Sequence, residues 1–172
     1  MGGTVQKGSG SSEFAKGDFR SVGNIRGECK LTKKEFYTLK EEELQKIKLE
    51  ALKGGFEDWV MQVEYVGAGG QSKKFAVLDY RMFMEMWAAS PLVESGPLLT
   101  QSAHWQPGKS FRMQYSEMMG AGKLGLHIHQ VTFGYNQADI PRDTMKKGLY
   151  AIVPWQTYLS TRTAFLAKGE AE

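Results

Sequence analysis

Apolar and polar residues alternate most clearly in the middle of the chain. Apolar side chains occupy every second position from Trp59 to Tyr65, and this two-residue period is typical of a β-strand. A glycine-rich segment over residues 67–72 then breaks the pattern and is typical of a turn. The sequence therefore predicts strands over residues 59–66 and 74–78, joined by this turn.

A longer helical segment is predicted before these strands. Thr32 and Glu35 have the spacing of a capping box, and Leu31 and Phe36 occupy the two positions of a hydrophobic staple. These signals predict a helix that begins at Thr32 and ends near Lys53.

Two further helices are predicted from their boundary residues. Asp79 is placed to cap a short helix, which ends before Pro91 because the residue that precedes a proline avoids helical angles. Pro154 suits the first turn of a last helix, which ends at Gly169. The residues predicted to share the apolar faces are Phe83, Met86 and Trp87 in the first of these helices and Trp155, Tyr158, Leu159, Arg162, Phe165 and Leu166 in the second.

The remaining segments are predicted to be strands separated by loops. Residues 91–109 contain three prolines and few charges, which is typical of a long connection. The glycines in 120–123 favour a hairpin turn. The other predicted elements are strands over 111–119 and 124–133, which that turn joins, a loop over 136–147 and a strand over 149–153.

Hairpins separated by helices favour an α+β fold with a largely antiparallel sheet. We expect one such domain over residues 28–169, with an N-terminal, a middle and a C-terminal helix, and a short tail over 170–172. Residues 1–27 are rich in Gly and Ser, and such a segment has little apolar surface to offset the entropy lost on ordering. They are predicted to form a flexible arm. The sequence shows no convincing internal repeat.

Composition and charge narrow the class of protein. Of the 172 residues, 41% are hydrophobic and 24% are charged, which excludes disordered and fibrous chains. The net charge of +3 permits nucleic acid or an anionic membrane surface as a partner. Cys29 is the single cysteine, so no intrachain disulfide forms, and the cytoplasm or nucleus is the expected compartment. No apolar run approaches the roughly 20 residues of a membrane span, and no signal peptide is expected.

The three histidines are candidate metal ligands. His127 and His129 are two residues apart on a predicted strand and therefore share a face, and His104 is a third candidate. No carboxylate at a recognisable spacing completes a metal site. Half-buried structural histidines are the preferred interpretation, and no metal is expected.

No catalytic motif stands out. The first glycine-rich turn has Ser72 where a dinucleotide fingerprint needs its third glycine, and the second has Leu124 where a phosphate loop needs Ser or Thr. No histidine lies near Cys29 in the sequence. We therefore predict a non-enzymatic protein with no cofactor and no small-molecule substrate.

The positively charged residues indicate an anionic partner, because exposed Lys and Arg contact phosphates and anionic lipid headgroups. The alternative is that these residues only solvate the turns. The residues predicted to contact an anionic partner are Lys73, Lys74, Arg112, Lys123, Arg142, Lys146 and Lys147.

The order of elements over residues 56–155 follows that of a known family. It comprises the strands 59–66 and 74–78, a helix with an inward Trp87, the segments 110–119 and 124–135, and a strand that begins at Gly148. In this order the chain resembles rhabdovirus matrix proteins, especially the small ones of plant viruses. The resemblance implies a structural virion protein of the host cytoplasm or nucleus. Such a protein self-associates, condenses ribonucleoprotein and lines the inner leaflet of an envelope.

Two other functions compete with this one. The strands followed by helices also resemble the single-strand-binding folds of the PC4 and Whirly type, which implies binding of unpaired nucleic acid. A protein-binding adaptor without nucleic-acid contact is the third possibility. It predicts an exposed apolar groove around Met82, Met84 and Met86, although core packing is the commoner role of such methionines.

Overall fold

The structure, a computed structural model, describes residues 4–6, 18–21, 24–95, 98–106, 110–119, 126–133 and 148–169. Its strands are β1 (Thr4–Gln6), β2 (Asp18–Ser21), β3 (Ile25–Thr32), β4 (Phe36–Lys40), β5 (Asp58–Val66), β6 (Ser72–Asp79), β7 (Leu98–Gln106), β8 (Ser110–Gln114), β9 (Leu126–Phe133) and β10 (Leu149–Pro154). Its helices are α1 (Glu41–Lys53), α2 (Tyr80–Ala89), α3 (Tyr115–Met118) and α4 (Trp155–Gly169), with a 3-10 helix over Pro91–Ser95.

Eight of these strands form one sheet in the order β1-β2-β3-β5-β6-β10-β9-β7, and β4 and β8 form a separate antiparallel ribbon. Only the pairs β3–β5 and β7–β9 are parallel among the described strands. The predicted α+β fold with a largely antiparallel sheet is confirmed. None of the helices in the described ranges combines the length and apolarity needed to cross a membrane.

The sheet is buried on both faces near its centre. Along β5, Trp59, Met61 and Val63 enter a core that α1, α3 and the β4–β8 ribbon cover. Val60 points the other way, into a core that α2 and α4 cover. Because both faces are covered, β5 is buried over most of its length, as central strands between two layers are.

The two halves of the chain repeat the same order of elements. The first half runs β3-β4-α1-β5-β6-α2 and the second β7-β8-α3-β9-β10-α4. In the β6–β10 pair, Val77 lies opposite Ile152, and α2 and α4 each begin three residues later. In the ribbon, Thr38 lies opposite Arg112, and α1 and α3 each begin three residues later. The strand registers are therefore consistent with an approximate two-fold axis that relates the two halves. This axis exchanges Val77 with Ile152 and Thr38 with Arg112.

Equivalent positions of the repeat are buried although their residues differ. On α2 and α4 the matching buried pairs are Phe83 with Tyr158, Met86 with Thr161, and Trp87 with Arg162. The repeat is a property of topology and burial, which is why the residue pattern alone does not show it.

The predicted start of the first helix is wrong. Residues 25–32 and 36–40 are strands, and the helix begins at Glu41. The Thr32 hydroxyl accepts a hydrogen bond from the Lys34 amide at 3.1 Å and donates one to the Phe36 carbonyl at 3.2 Å. The apparent capping residue thus stabilises a turn between two strands. The predicted end of the helix at Lys53 is confirmed.

The predictions for residues 91–133 are partly wrong. The expected connection contains the 3-10 helix and strand β7, which pairs with β9. The strand predicted over 111–119 ends at Gln114 and continues as α3. It pairs with β4 rather than with β9, so the expected hairpin does not form. These pairings join residues far apart in sequence, and local patterns carry no signal for them. The turn 120–123 and the loop 136–147 lie outside the described residues.

Part of the segment expected to be a flexible arm is ordered. Thr4–Gln6 and Asp18–Ser21 are strands, and β3 begins at Ile25. These residues gain main-chain hydrogen bonds by adding strands to the sheet next to β5. Residues 7–17, which carry several of the glycines, lie outside the described residues.

Gly148 lies where the start of β10 approaches the start of α1 closely. Its φ is +44°, and a Cβ there would lie 3.2 Å from the Tyr150 hydroxyl and 3.3 Å from the Glu41 carboxylate. We expect Gly148→Ala to lower the free energy of unfolding by about 1–2 kcal/mol in urea titrations. Gly69→Ala is the matched control, because open space surrounds that position, and it should change stability by less than about 0.5 kcal/mol. Equal stability of the two variants would contradict the close approach at Gly148.

Candidate nucleic-acid interface

Two turns of the chain, over residues 33–35 and 67–71, meet the start of α3 at one end of the sheet and form a cleft of about 370 Å³. Its rim carries three exposed lysines, Lys33 and Lys34 from the β3–β4 turn and Lys73 from β6. The one carboxylate in its lining is the exposed Glu35. We call this cleft the basic cleft, because its lining carries a net positive charge.

Aromatic side chains form part of the wall of the basic cleft. Tyr65 is 4% exposed, and its hydroxyl donates a hydrogen bond to the Met113 carbonyl at 2.7 Å. Its ring centroid lies 5.5 Å from that of Tyr115, and burial raises the pKa of Tyr65 above its ordinary value. The Tyr115 amide donates a hydrogen bond to the Glu35 carbonyl at 2.8 Å. The first bond ties β5 to the ribbon, and the second ties the lysine-bearing turn to the start of α3, so the cleft is formed in advance of any ligand.

The outward face of the β4–β8 ribbon adjoins this cleft. Leu39, Phe111 and Met113 point into the core, and the alternate residues Thr38, Lys40, Ser110 and Arg112 are exposed. On this outward side the guanidinium carbon of Arg112 lies 3.7 Å from the centre of the Phe36 ring, and the Lys34 ammonium lies 5.7 Å from it. We call this surface the ribbon face.

The structure brings some of the predicted anion-contacting residues together. Lys73 lines the basic cleft, and Arg112 lies on the adjoining ribbon face. Lys74 points to the opposite side of the sheet from Lys73, and its ammonium lies 3.8 Å from Glu64. The predicted residues outside the described ranges are Lys123, Arg142, Lys146 and Lys147.

Sequence reasoning missed Lys33, Lys34 and Phe36 as site residues because it placed them on a helix. The alternation of Phe36, Thr38 and Lys40 with Tyr37 and Leu39 was the available signal, since it is the period of a strand.

The histidines occupy the β7–β9 region of the sheet. His129 in β9 is 1% exposed, which is deeper than the half-buried position expected. The side chains of His104 and His127 lie outside the described part of the structure. Among the described residues, no group of three or more His, Cys, Asp or Glu side chains is arranged to hold a metal ion.

A second cleft, of about 360 Å³, lies between α1 and α2 and carries charges of both signs. Burial raises the pKa of Asp58, in its wall, to about 6, although a hydrogen bond from the Trp59 amide and the nearby Arg162 lower it. Asp58 lies 3.6 Å from Arg162, Asp79 lies 3.9 Å from Lys48, and Glu85 lies 2.9 Å from Arg81. Asp58 and Asp79 thus pair with cations of other elements, and Glu85 pairs with Arg81 one turn away in α2, so we treat this cleft as structural.

The methionines of α2 bear on the adaptor hypothesis. Met86 is fully buried, and Met82 and Met84 are partly buried against the same core. Core packing therefore accounts for most of their surface, although Met82 also lines the cleft between α1 and α2.

Comparison of the chain with protein-family models, with curated proteins and with solved structures finds no match in any of the three.

Proposed function

We propose that this chain is a non-enzymatic protein that binds nucleic acid through the basic cleft. The observation that supports the proposal best is the arrangement of Lys33, Lys34 and Lys73 around a preformed cleft with an aromatic wall. Lysine ammonium groups bind phosphates as point charges, and proteins that bind nucleic acid combine such charges with aromatic surfaces.

The same surface serves two of the functions expected from sequence. A matrix-like protein contacts ribonucleoprotein, and a PC4-like or Whirly-like protein contacts unpaired nucleic acid. Both need a basic groove that follows a phosphate backbone. An anionic membrane is the competing partner for the same charges. A concave cleft with tyrosines in its wall fits a polymer chain better than a flat bilayer surface, so the geometry favours nucleic acid.

Charge reversal tests the proposal. The triple variant Lys33→Glu, Lys34→Glu, Lys73→Glu should bind a fluorescein-labelled oligouridine on the order of 100-fold more weakly at low salt. With three fewer phosphate contacts, binding releases fewer counterions from the oligonucleotide. The slope of log K against log salt should therefore become shallower by about 2. Fluorescence anisotropy at a series of salt concentrations measures both quantities.

A second triple variant separates the cleft from net charge. Lys46→Glu, Lys53→Glu, Lys168→Glu changes the total charge equally, but at exposed positions of α1 and α4 that do not line the cleft. It should retain most of the affinity. Equal losses in both variants would show that net charge alone drives binding and would contradict the proposed cleft. Failure of the wild type to bind, with salt-sensitive flotation on phosphatidylserine vesicles, would assign the charges to a membrane instead.

A further inference from the structure

The stack of Arg112 on Phe36 has features of a ligand platform. At 3.7 Å from the ring centre, the guanidinium carbon is in van der Waals contact with the aromatic face. Arg112 is exposed and Phe36 is half-buried. None of the ion pairs among the described residues involves Arg112. Its charge therefore remains available to a ligand, and its side chain is already held by the ring.

The internal repeat shows that the ribbon does not require this stack. Under the approximate two-fold relation, Phe36 corresponds to Ser110, and Arg112 corresponds to Thr38. The other half of the same ribbon thus has a serine and a threonine at these positions. The ribbon therefore pairs at these positions without such a stack, so the stack is not required for strand pairing, and Arg112 and Phe36 are open to a role in binding.

The stack is continuous with the basic cleft. Lys34 lines that cleft, and its ammonium also lies 5.7 Å from the centre of the Phe36 ring. A nucleic-acid strand whose phosphates contact the cleft lysines can therefore place a neighbouring base over the ribbon face. An arginine guanidinium plane is one of the surfaces on which unpaired bases stack.

We propose that Arg112, held against Phe36, stacks an unpaired base, so that the ligand of this site is single-stranded nucleic acid. This inference rests on the proposed function, because the cleft lysines must first hold the backbone. Bases of a duplex are stacked on one another and do not reach such a platform. The site therefore selects single strands by base stacking and binds them by phosphate contacts.

Two variants test the stack without removing the cleft lysines. Arg112→Lys keeps the charge but loses the planar group, and Phe36→Ser introduces the residue that the other half of the ribbon carries. Each should weaken binding of a single-stranded oligonucleotide about tenfold. Binding of a duplex of equal length should be unchanged, and Arg112→Lys should leave the salt slope unaltered. In the wild type, 2-aminopurine in the single strand should lose fluorescence on binding, and both variants should reduce this quenching.

The two proposals fail in different ways. If both variants bind single strands and quench as the wild type does, while reversal of the cleft lysines abolishes binding, the stack is excluded and the proposed function stands. Equal wild-type affinity for single strands and duplexes would also exclude the stack. If the wild type binds neither, both proposals are overturned.

Discussion

Replacing Trp87 with alanine is expected to lower the free energy of unfolding by about 3–5 kcal/mol. Trp87 is 9% exposed and lies in the core between the sheet and the helices α2 and α4. Its ring centroid is 6.3 Å from that of Phe83. Because both helices also pack on the sheet, they cannot close the space that the indole leaves, and the loss includes a cavity as well as buried area. Urea denaturation followed by circular dichroism measures the change.

Trp155→Ala is the matched control for this truncation. Trp155 begins α4 and packs against the same core, with its ring centroid 5.0 Å from that of Tyr158, but it is half-buried. The sequence assigned both tryptophans to the core, whereas the structure gives Trp155 a partly exposed position at the start of its helix. Trp155→Ala should therefore lower the free energy of unfolding by less than Trp87→Ala does. A Trp87→Ala protein with wild-type stability, or a larger loss at Trp155, would contradict the packing described for this core.

Elements with strong local signals were predicted from sequence. The strand β5 alternates between two cores, Asp79 accepts a hydrogen bond from the Arg81 amide as a helix cap, and Pro91 follows the end of α2. Each of these features depends on residues close together in the chain. Helix α4, which ends at Gly169, was predicted for the same reason.

Elements that depend on distant partners were not predicted. Residues 36–40 have the alternation of a strand but also follow an apparent capping box, and only pairing with β8 decides between the two. Strand β7 likewise exists through its parallel pairing with β9. Once residues 36–40 are assigned to a helix, the cleft lysines and Phe36 cannot be brought to one surface. The charge of Arg112 marks it as a candidate in the sequence, but its stack on Phe36 is a cross-strand contact that has no sequence signal.

Loss of the buried ion pair between Asp58 and Arg162 is expected to lower the free energy of unfolding by a similarly large amount. Arg162 is 2% exposed on α4, and its guanidinium lies 3.6 Å from the Asp58 carboxylate at the start of β5. Arg162→Leu leaves a buried carboxylate without this positive partner. We expect the free energy of unfolding to fall by about 3–5 kcal/mol at neutral pH.

This loss should depend on pH. Burial raises the pKa of Asp58 to about 6, and the nearby Asp79 and Glu85 also raise it, while Arg162 lowers it. The folded state therefore holds this proton more tightly than the unfolded state, whose pKa is near 3.8. The stabilisation from protonated Asp58 is complete below about pH 3.8 and is lost as the pH rises through about 6. Without Arg162 the pKa rises further, so the difference between variant and wild type should grow from pH 5 to pH 8.

A double variant distinguishes the ion pair from simple loss of packing. Leu126 and Trp87, which correspond to Asp58 and Arg162 in the internal repeat, are apolar, so the fold accepts uncharged residues at such positions. Buried pairs replaced by apolar residues often retain or gain stability. Asp58→Leu with Arg162→Leu should therefore recover most of the stability lost in Arg162→Leu and should show little pH dependence near pH 6. Urea titrations of the three proteins at pH 5, 6.5 and 8 measure this. A loss that is constant with pH, or a double variant as unstable as the single one, would show that Arg162 acts through packing rather than through its charge.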